Sequence, residues 1–298
     1  MFKQLNAIAA FLLIGFATPI AFSAPFLLNQ LNNCPYCDLQ NVNLRGIDGR
    51  RMPINWQGVN LSHANLSQMN LQGVNLMGAN LSHTRLVGTN LRNANLTGAN
   101  LTEAILHGTS LQGANLGNAN LNEASLIAIA LEAGQFQNAS FDNSRWQNVY
   151  LGGANLQGAS LVGAILQNVD LVAANLAEAD LFEANLRGVK LRNANLSGAN
   201  LSYANLRGTS LVEANLSESI LQSADLTSAD LTLANLTRAD LQESNLENAN
   251  LDRAILREAN LMGVNLDRAY LVNTDFCDVI ISEEKEIRRL IETGADCD

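Results

Sequence analysis

From Trp56 to Ile281 the large apolar residues stand five apart without a slip: Leu61, Leu66, Leu71 and onward, with Phe136, Phe141, Trp146, Phe276 and Ile281 as bulky substitutes. Two places before each centre stands a small or β-branched residue, mostly Ala, as at Ala64, Ala79, Ala94 and Ala199. One place before is usually Asn or Asp, and the remaining two positions are polar or Gly. An α-helix turns about 100° per residue, so a step of five would scatter Leu196, Leu201 and Leu206 around its surface. A flat strand sends odd steps to alternate faces. The leucines share one interior only if the backbone turns a corner every five residues.

The pattern A-(N/D)-L-x-x resembles the pentapeptide repeat family over most of the chain. The resemblance implies an all-β fold, a right-handed quadrilateral parallel β-helix in which four pentapeptides make one coil. Leu and the preceding small residue then point inward, and coils pair through backbone hydrogen bonds about 4.8 Å apart. Centres 61 to 281 make a little over eleven coils, hence a rod of about 54 Å at that spacing. Asn at equivalent corners is expected to form side-chain ladders from coil to coil.

The repeat divides the chain into 1–23, 24–55, 56–281 and 282–298. Lys3, the apolar run Ala7 to Phe16 and the small residues Ala21 and Ser23 read as a secretory signal, cut after Ser23. Residues 24–55 form an N-terminal cap and an irregular first coil. Leu39 and Leu44 keep the step of five but in another phase, so a two-residue excess is expected between Gly49 and Asn55. A raw solenoid end exposes a strand edge. A short capping α-helix is expected over 282–298, started by Ser282, ended near Gly294 and presenting Ile287, Leu290 and Ile291 to the core.

Composition narrows the partners. Removing Lys3 leaves 28 acidic against 17 basic residues, a net charge of −11 that disfavours nucleic acid and anionic lipid. No membrane insertion is expected after signal cleavage. Residues 151–298 carry 22 acidic side chains against 6 in 1–150, yet Glu178, Glu183, Glu213 and Asp225 fall on four different faces.

Three sets of residues invite chemistry. Cys34-Pro35-Tyr36-Cys37 spells a redox motif, but Asp38-Leu39 starts the repeat where a helix should follow. The other reading is a structural cap disulfide in an oxidising compartment, and similar openings occur in exported members of the family. Cys277 and Cys297 flank the C-terminal segment, and the sequence leaves their pairing open. His63, His83, Glu103 and Glu123 occupy one repeat position in successive coils, a row that a divalent metal would use. The rival reading is a solvated polar face, and no cofactor is expected.

The stretch 125–150 loses the Asn rule, and Gln135, Arg145 and Tyr150 are expected to face outward there as a protein contact. Larger core residues relaxing the corners would give the same pattern. No phosphate-binding glycine loop, HExxH or nucleophile elbow is present.

The resemblance thus implies a non-catalytic exported scaffold or protein-interaction rod, in the periplasm or thylakoid lumen, with unidentified protein partners. Two alternatives stand beside it. Some family members protect DNA gyrase with an acidic, duplex-shaped surface, and the CPYC motif would suit a thiol-disulfide oxidoreductase.

Overall fold

The computed structural model describes residues 33–46 and 54–281, and they are all-β. The expected signal segment 1–23, Cys297 and the expected capping helix at 282–298 lie outside the described residues. The chain divides into two compact units, Met1–Ser140 and Phe141–Asp298. The five-residue pattern gives no sign of that division.

Both units use the same backbone arrangement, a parallel bridge between each Asn-slot residue and the one twenty places on. It runs from Asn55↔Asn75 to Asn120↔Ser140 in the first unit and from Tyr150↔Asp170 to Asn260↔Ile280 in the second. Four pentapeptides therefore complete one coil. In the first coil the step is twenty-two, at Asn33↔Asn55, Asp38↔Asn60 and Asn43↔Asn65. The two extra residues fall between Asn43 and Asn55, where the change of phase locates them.

Why the motif has its form follows from where each N–H goes, because an unpaired buried N–H is costly. In Ala199–Tyr203 the Ala199 N–H closes a turn onto the Leu196 carbonyl at 3.0 Å. Asn200 donates back to Ala179, while Leu201 and Tyr203 donate forward to Ile220 and Gln222. The fifth amide, that of Ser202, donates to Oδ1 of Asn200 at 3.2 Å. Asn is favoured in its slot because its side chain completes the set, as in an Asx turn.

The corner itself is a β-turn whose third residue is left-handed, the conformation a type II turn requires. Gly fills that position at Gly198 (φ 65°), but Tyr203 (φ 59°) and Glu183 (φ 56°) adopt it too. The spare amide hydrogens of the Asn slot build the expected ladders. Asn175, Asn195, Asn215 and Asn235 each donate Nδ2 to Oδ1 of the Asn one coil earlier, at 3.1–3.4 Å.

Inward, the Leu and Ala slots are almost completely buried in both units up to Leu261, beyond which Val264, Leu266, Ala269, Val279 and Ile281 are half-buried. Burying each leucine contributes about 2 kcal/mol, and repetition makes this the dominant favourable term. Thr fits the Ala slot because its hydroxyl finds a carbonyl. Thr84 Oγ1 donates to Leu61 and Thr209 Oγ1 to Leu186, each at 2.9 Å. Ser244 is the exception among the described residues, its buried Oγ having no hydrogen-bond partner. Ser244→Ala restores the consensus and is expected to stabilise the second unit by about 1 kcal/mol. Urea denaturation checks this, and a loss of stability would show that the hydroxyl is satisfied in solution.

Three short strands interrupt the regular corners: β1 (Ser125–Ile127), β2 (Arg145–Gln147) and β3 (Ile165–Gln167). β2 and β3 pair in parallel, Arg145 with Ile165 and Trp146 with Leu166. Each strand begins where Asn is replaced. Replacement alone is not sufficient, since Arg85 and Ile105 keep the ordinary turn.

Candidate functional site

Outward side chains come from three slots of each pentapeptide, so any site is a set of residues stacked on a flat face. The CPYC segment follows the same rule. Cys34 is aligned with Trp56 in the large-residue slot, and Cys37 falls in the small-residue slot opposite Val59. The two form a disulfide with Cα atoms 5.5 Å apart, and Cys34 is buried. The bridge fills the interior of the first coil where Leu and Ala stand elsewhere. Tyr36 lies exposed in the left-handed corner position (φ 58°) with its ring over Gly58, where there is no room for a Cβ. The chain then enters the bridge Asp38↔Asn60 instead of a helix. Cys277 is half-buried in an outward slot.

The histidine column assembles as its spacing implies. His63 and His83 stack with centroids 4.5 Å apart and planes 4° from parallel. His83 Nδ1 lies 3.3 Å from a Glu103 carboxylate oxygen. Parallel rings direct their in-plane lone pairs side by side, whereas a metal needs them to converge. Among the described residues no group of three or more His, Cys, Asp or Glu is placed to hold an ion.

Gln135, Arg145 and Tyr150 are all exposed, as expected. Gln135 belongs to the first unit, where its amide bonds Gln137 at 2.9 Å. Arg145 and Tyr150 belong to the second and lie on successive faces, against Ile165 and Asp170 respectively. Within the second unit, Arg145 and Tyr150 therefore do not share a face.

One pairing escaped the sequence reading because its members are eighteen residues apart, just short of a coil. His107 Nε2 and Ser125 Oγ are 2.8 Å apart. Burial, and then the Arg85 charge, push His107 below the usual imidazole range. A hydroxyl beside a neutral imidazole has the form of a nucleophile and its base. The nearby charge is a cation, though, where a carboxylate would be needed to hold an imidazolium.

Charged pairs on the second unit are local. Arg238 sits between two carboxylates, 2.8 Å from Glu258 and 4.0 Å from Glu218, and this interrupts the acidic column. Hydrogen bonding to Arg238 and its charge lower Glu258, and hydrogen bonding to Glu258 and its charge raise Arg238. Burial works against the Asp225 carboxylate, but hydrogen bonds from Thr227 and Arg207 outweigh it and hold the group below its usual range. At Asp275 burial is likewise outweighed, by Arg257 and by hydrogen bonds from Cys277.

Comparison with known proteins agrees with this geometry. The family described as Pentapeptide repeats matches in 8 copies over residues 57–93 and, in overlapping stretches, from 166–198 to 244–282. Pentapeptide repeat region matches 89–161. The chain belongs to the pentapeptide repeat family. No curated protein matches it.

Among solved structures, HetL is described as a pentapeptide repeat protein involved in heterocyst differentiation regulation, from the cyanobacterium Nostoc sp. strain PCC 7120. It is 30% identical, with 85% of this chain and 95% of HetL covered and a TM-score of 0.48. QnrB1, a plasmid-mediated fluoroquinolone resistance protein, is 18% identical over 75% of this chain and 94% of its own, with a TM-score of 0.30. A pentapeptide repeat protein of the Arabidopsis thaliana thylakoid lumen is 22% identical over 56% of this chain and 79% of its own, with a TM-score of 0.13.

Proposed function

We propose that the protein is a non-catalytic scaffold that binds other proteins through its flat faces, and that it acts after export to a periplasm or thylakoid lumen. The observation that carries this reading is the division of labour within the pentapeptide. Two slots are committed to a filled interior, the Asn slot and the amides to turn and coil pairing, which leaves the two outward slots after each large residue to carry varied side chains. Catalysis calls for a cleft that converges groups on a substrate, and flat stacked faces favour surface recognition instead. Export is supported by the signal-like start of the sequence and by the Cys34–Cys37 disulfide, which suits an oxidising compartment.

The two alternatives fit less well. Gyrase mimicry needs an unbroken acidic stripe, and Arg238 breaks the column it would use. Thiol exchange needs an accessible low-pKa thiolate at a helix start, whereas Cys34 is buried in a coil.

The test is affinity capture of the chain lacking 1–23 from its native compartment, repeated with Arg145→Ala/Tyr150→Ala. The expected result is a defined partner set that the double variant loses while its thermal melt is unchanged. An identical partner set with the variant would reject Arg145 and Tyr150 as contacts, and no reproducible partner at all would reject the interaction role.

A further inference from the structure

On the second unit, one of the four faces differs from the other three in charge and carries a pair of aromatic rings in contact. It is centred on Leu161, Leu181, Leu201, Leu221, Leu241 and Leu261. From Ala159 to Gly263 it contains no Lys or Arg, whereas the other faces carry Arg187 and Arg207, Lys190 and Arg192, and Arg238 and Arg257. The ion pairs Lys190–Asp170, Arg192–Glu213, Arg207–Asp225 and Arg238–Glu258 all lie on those other faces. Asp180, Glu183, Asp240 and Glu243 remain on this face, and none of the ion pairs found among the described residues uses them.

The same face carries an apolar strip. Phe182 is half-buried and meets Tyr203 edge to face, with centroids 5.5 Å apart at 68°. Tyr203 is 58% exposed and Ile220, in the next coil, 40%. Tyr203 stands in the left-handed corner slot (φ 59°), where a bulky side chain carries a backbone penalty that Gly would avoid. The same conformation is shared by the corner residues of the other coils, Leu233 and Arg238 among them, so what sets Tyr203 apart is a large aromatic ring left exposed.

The strip has acidic pairs at both ends. Asp180 and Glu183 stand in the coil of Phe182, and Asp240 and Glu243 in the coil beyond Ile220. Three coil spacings separate the pairs, about 14 Å at roughly 4.8 Å each. An extended segment covers that distance in about four residues at about 3.3 Å each. Aromatic anchors with a charged rim are the arrangement that dominates protein recognition energetics, and charge complementarity selects the partner and speeds its arrival.

We propose that this face docks an extended segment of a partner protein in which one apolar or aromatic side chain is flanked, about two residues to each side, by Lys or Arg. The apolar side chain rests on Phe182, Tyr203 and Ile220, and the two cations reach the acidic pairs. This deepens the interaction role proposed above and rests on it.

The probe is a fluorescein-labelled short peptide in which phenylalanine is flanked on each side by a serine and then a lysine, titrated by anisotropy against the chain lacking 1–23. The expected result is binding that weakens with salt and falls by about tenfold or more when glutamate replaces the lysines. Tyr203→Ala and Glu183→Lys/Glu243→Lys are each expected to weaken it by a similar factor. Glu183→Gln/Glu243→Gln gives a milder version of the same loss, and circular dichroism establishes that every variant is folded.

The control Glu178→Lys/Glu218→Lys makes the same change in net charge on another face and is expected to leave binding unaltered. Equal loss with the control, or equal binding of the glutamate peptide, overturns the proposal. So does a concentration-dependent dimer abolished by Tyr203→Ala, which would assign the strip to a second copy of this chain. Partners captured by the Glu183→Lys/Glu243→Lys protein but lost with Arg145→Ala/Tyr150→Ala would sink this face and leave the interaction role standing.

Discussion

Trp146→Ala is expected to destabilise the Phe141–Asp298 unit by about 3 to 5 kcal/mol, the range for truncating a large buried aromatic. Trp146 is fully buried in a slot that holds leucine in most coils. Its indole Nε1 donates to Ser144 Oγ at 2.6 Å, and Ser144 Oγ donates to the Phe141 carbonyl at 2.5 Å. Phe141 meets the indole edge to face with centroids 4.9 Å apart. Alanine would leave a cavity that neighbouring coils cannot collapse into, because their backbones are fixed by hydrogen bonds on both sides. Urea denaturation followed by circular dichroism measures the loss. Trp56, the other tryptophan of the chain, reports on the first unit by fluorescence. A change below about 1 kcal/mol would mean that the site relaxes around the missing ring.

Gly134→Ala should destabilise the Met1–Ser140 unit by about 1 to 3 kcal/mol, although alanine is the consensus at that slot. A Cβ at Gly134 would fall 2.5 and 2.8 Å from ring carbons of Phe136 and 2.9 Å from the Leu131 carbonyl oxygen. Phe136 is buried two places later in the leucine slot, and its ring takes the room alanine occupies in other coils. The two departures from consensus therefore compensate each other. Phe136→Leu in the Gly134→Ala background should recover part of the stability. A double-mutant cycle of thermal or urea midpoints is expected to give a coupling of about 1 kcal/mol. Strict additivity would show that the ring and the glycine are independent.

Much of the fold was legible because one period sets every inward position. The leucine slot, the small slot before it, the ladder-forming Asn and the two extra residues before Asn55 all follow from counting. The left-handed corner was harder to read, since Glu, His, Tyr and Arg share a slot with Gly and Asn and hide the backbone preference. Cys34 and Cys37 fell where the repeat phase puts large and small inward residues, so their pairing as part of the interior was within reach.

The candidate sites were read less completely. His63, His83 and Glu103 stacked as expected, but spacing alone does not give ring orientation, and the parallel rings do not converge on a metal. Gln135, Arg145 and Tyr150 are exposed as expected, while the division of the chain between Gln135 and the other two is not legible in the repeat, and Arg145 and Tyr150 stand on successive faces. Counting acids face by face found them on all four faces. The informative count was of cations, which are missing from the face of Phe182 and Tyr203.

The twenty-residue register gives insertions and deletions an arithmetic of their own. Removing one complete coil from the second unit would leave each remaining side chain on its original side, merely closer to the other end. Losing a single pentapeptide would keep every leucine inside and every amide paired, yet rotate all downstream decoration by a quarter circuit. Tyr203 would then no longer share a side with Phe182 if the loss fell between them. Such a protein would melt much like its parent while showing partners a scrambled exterior, so length changes in the second unit are silent for folding in steps of five and keep each residue on its own side only in steps of twenty.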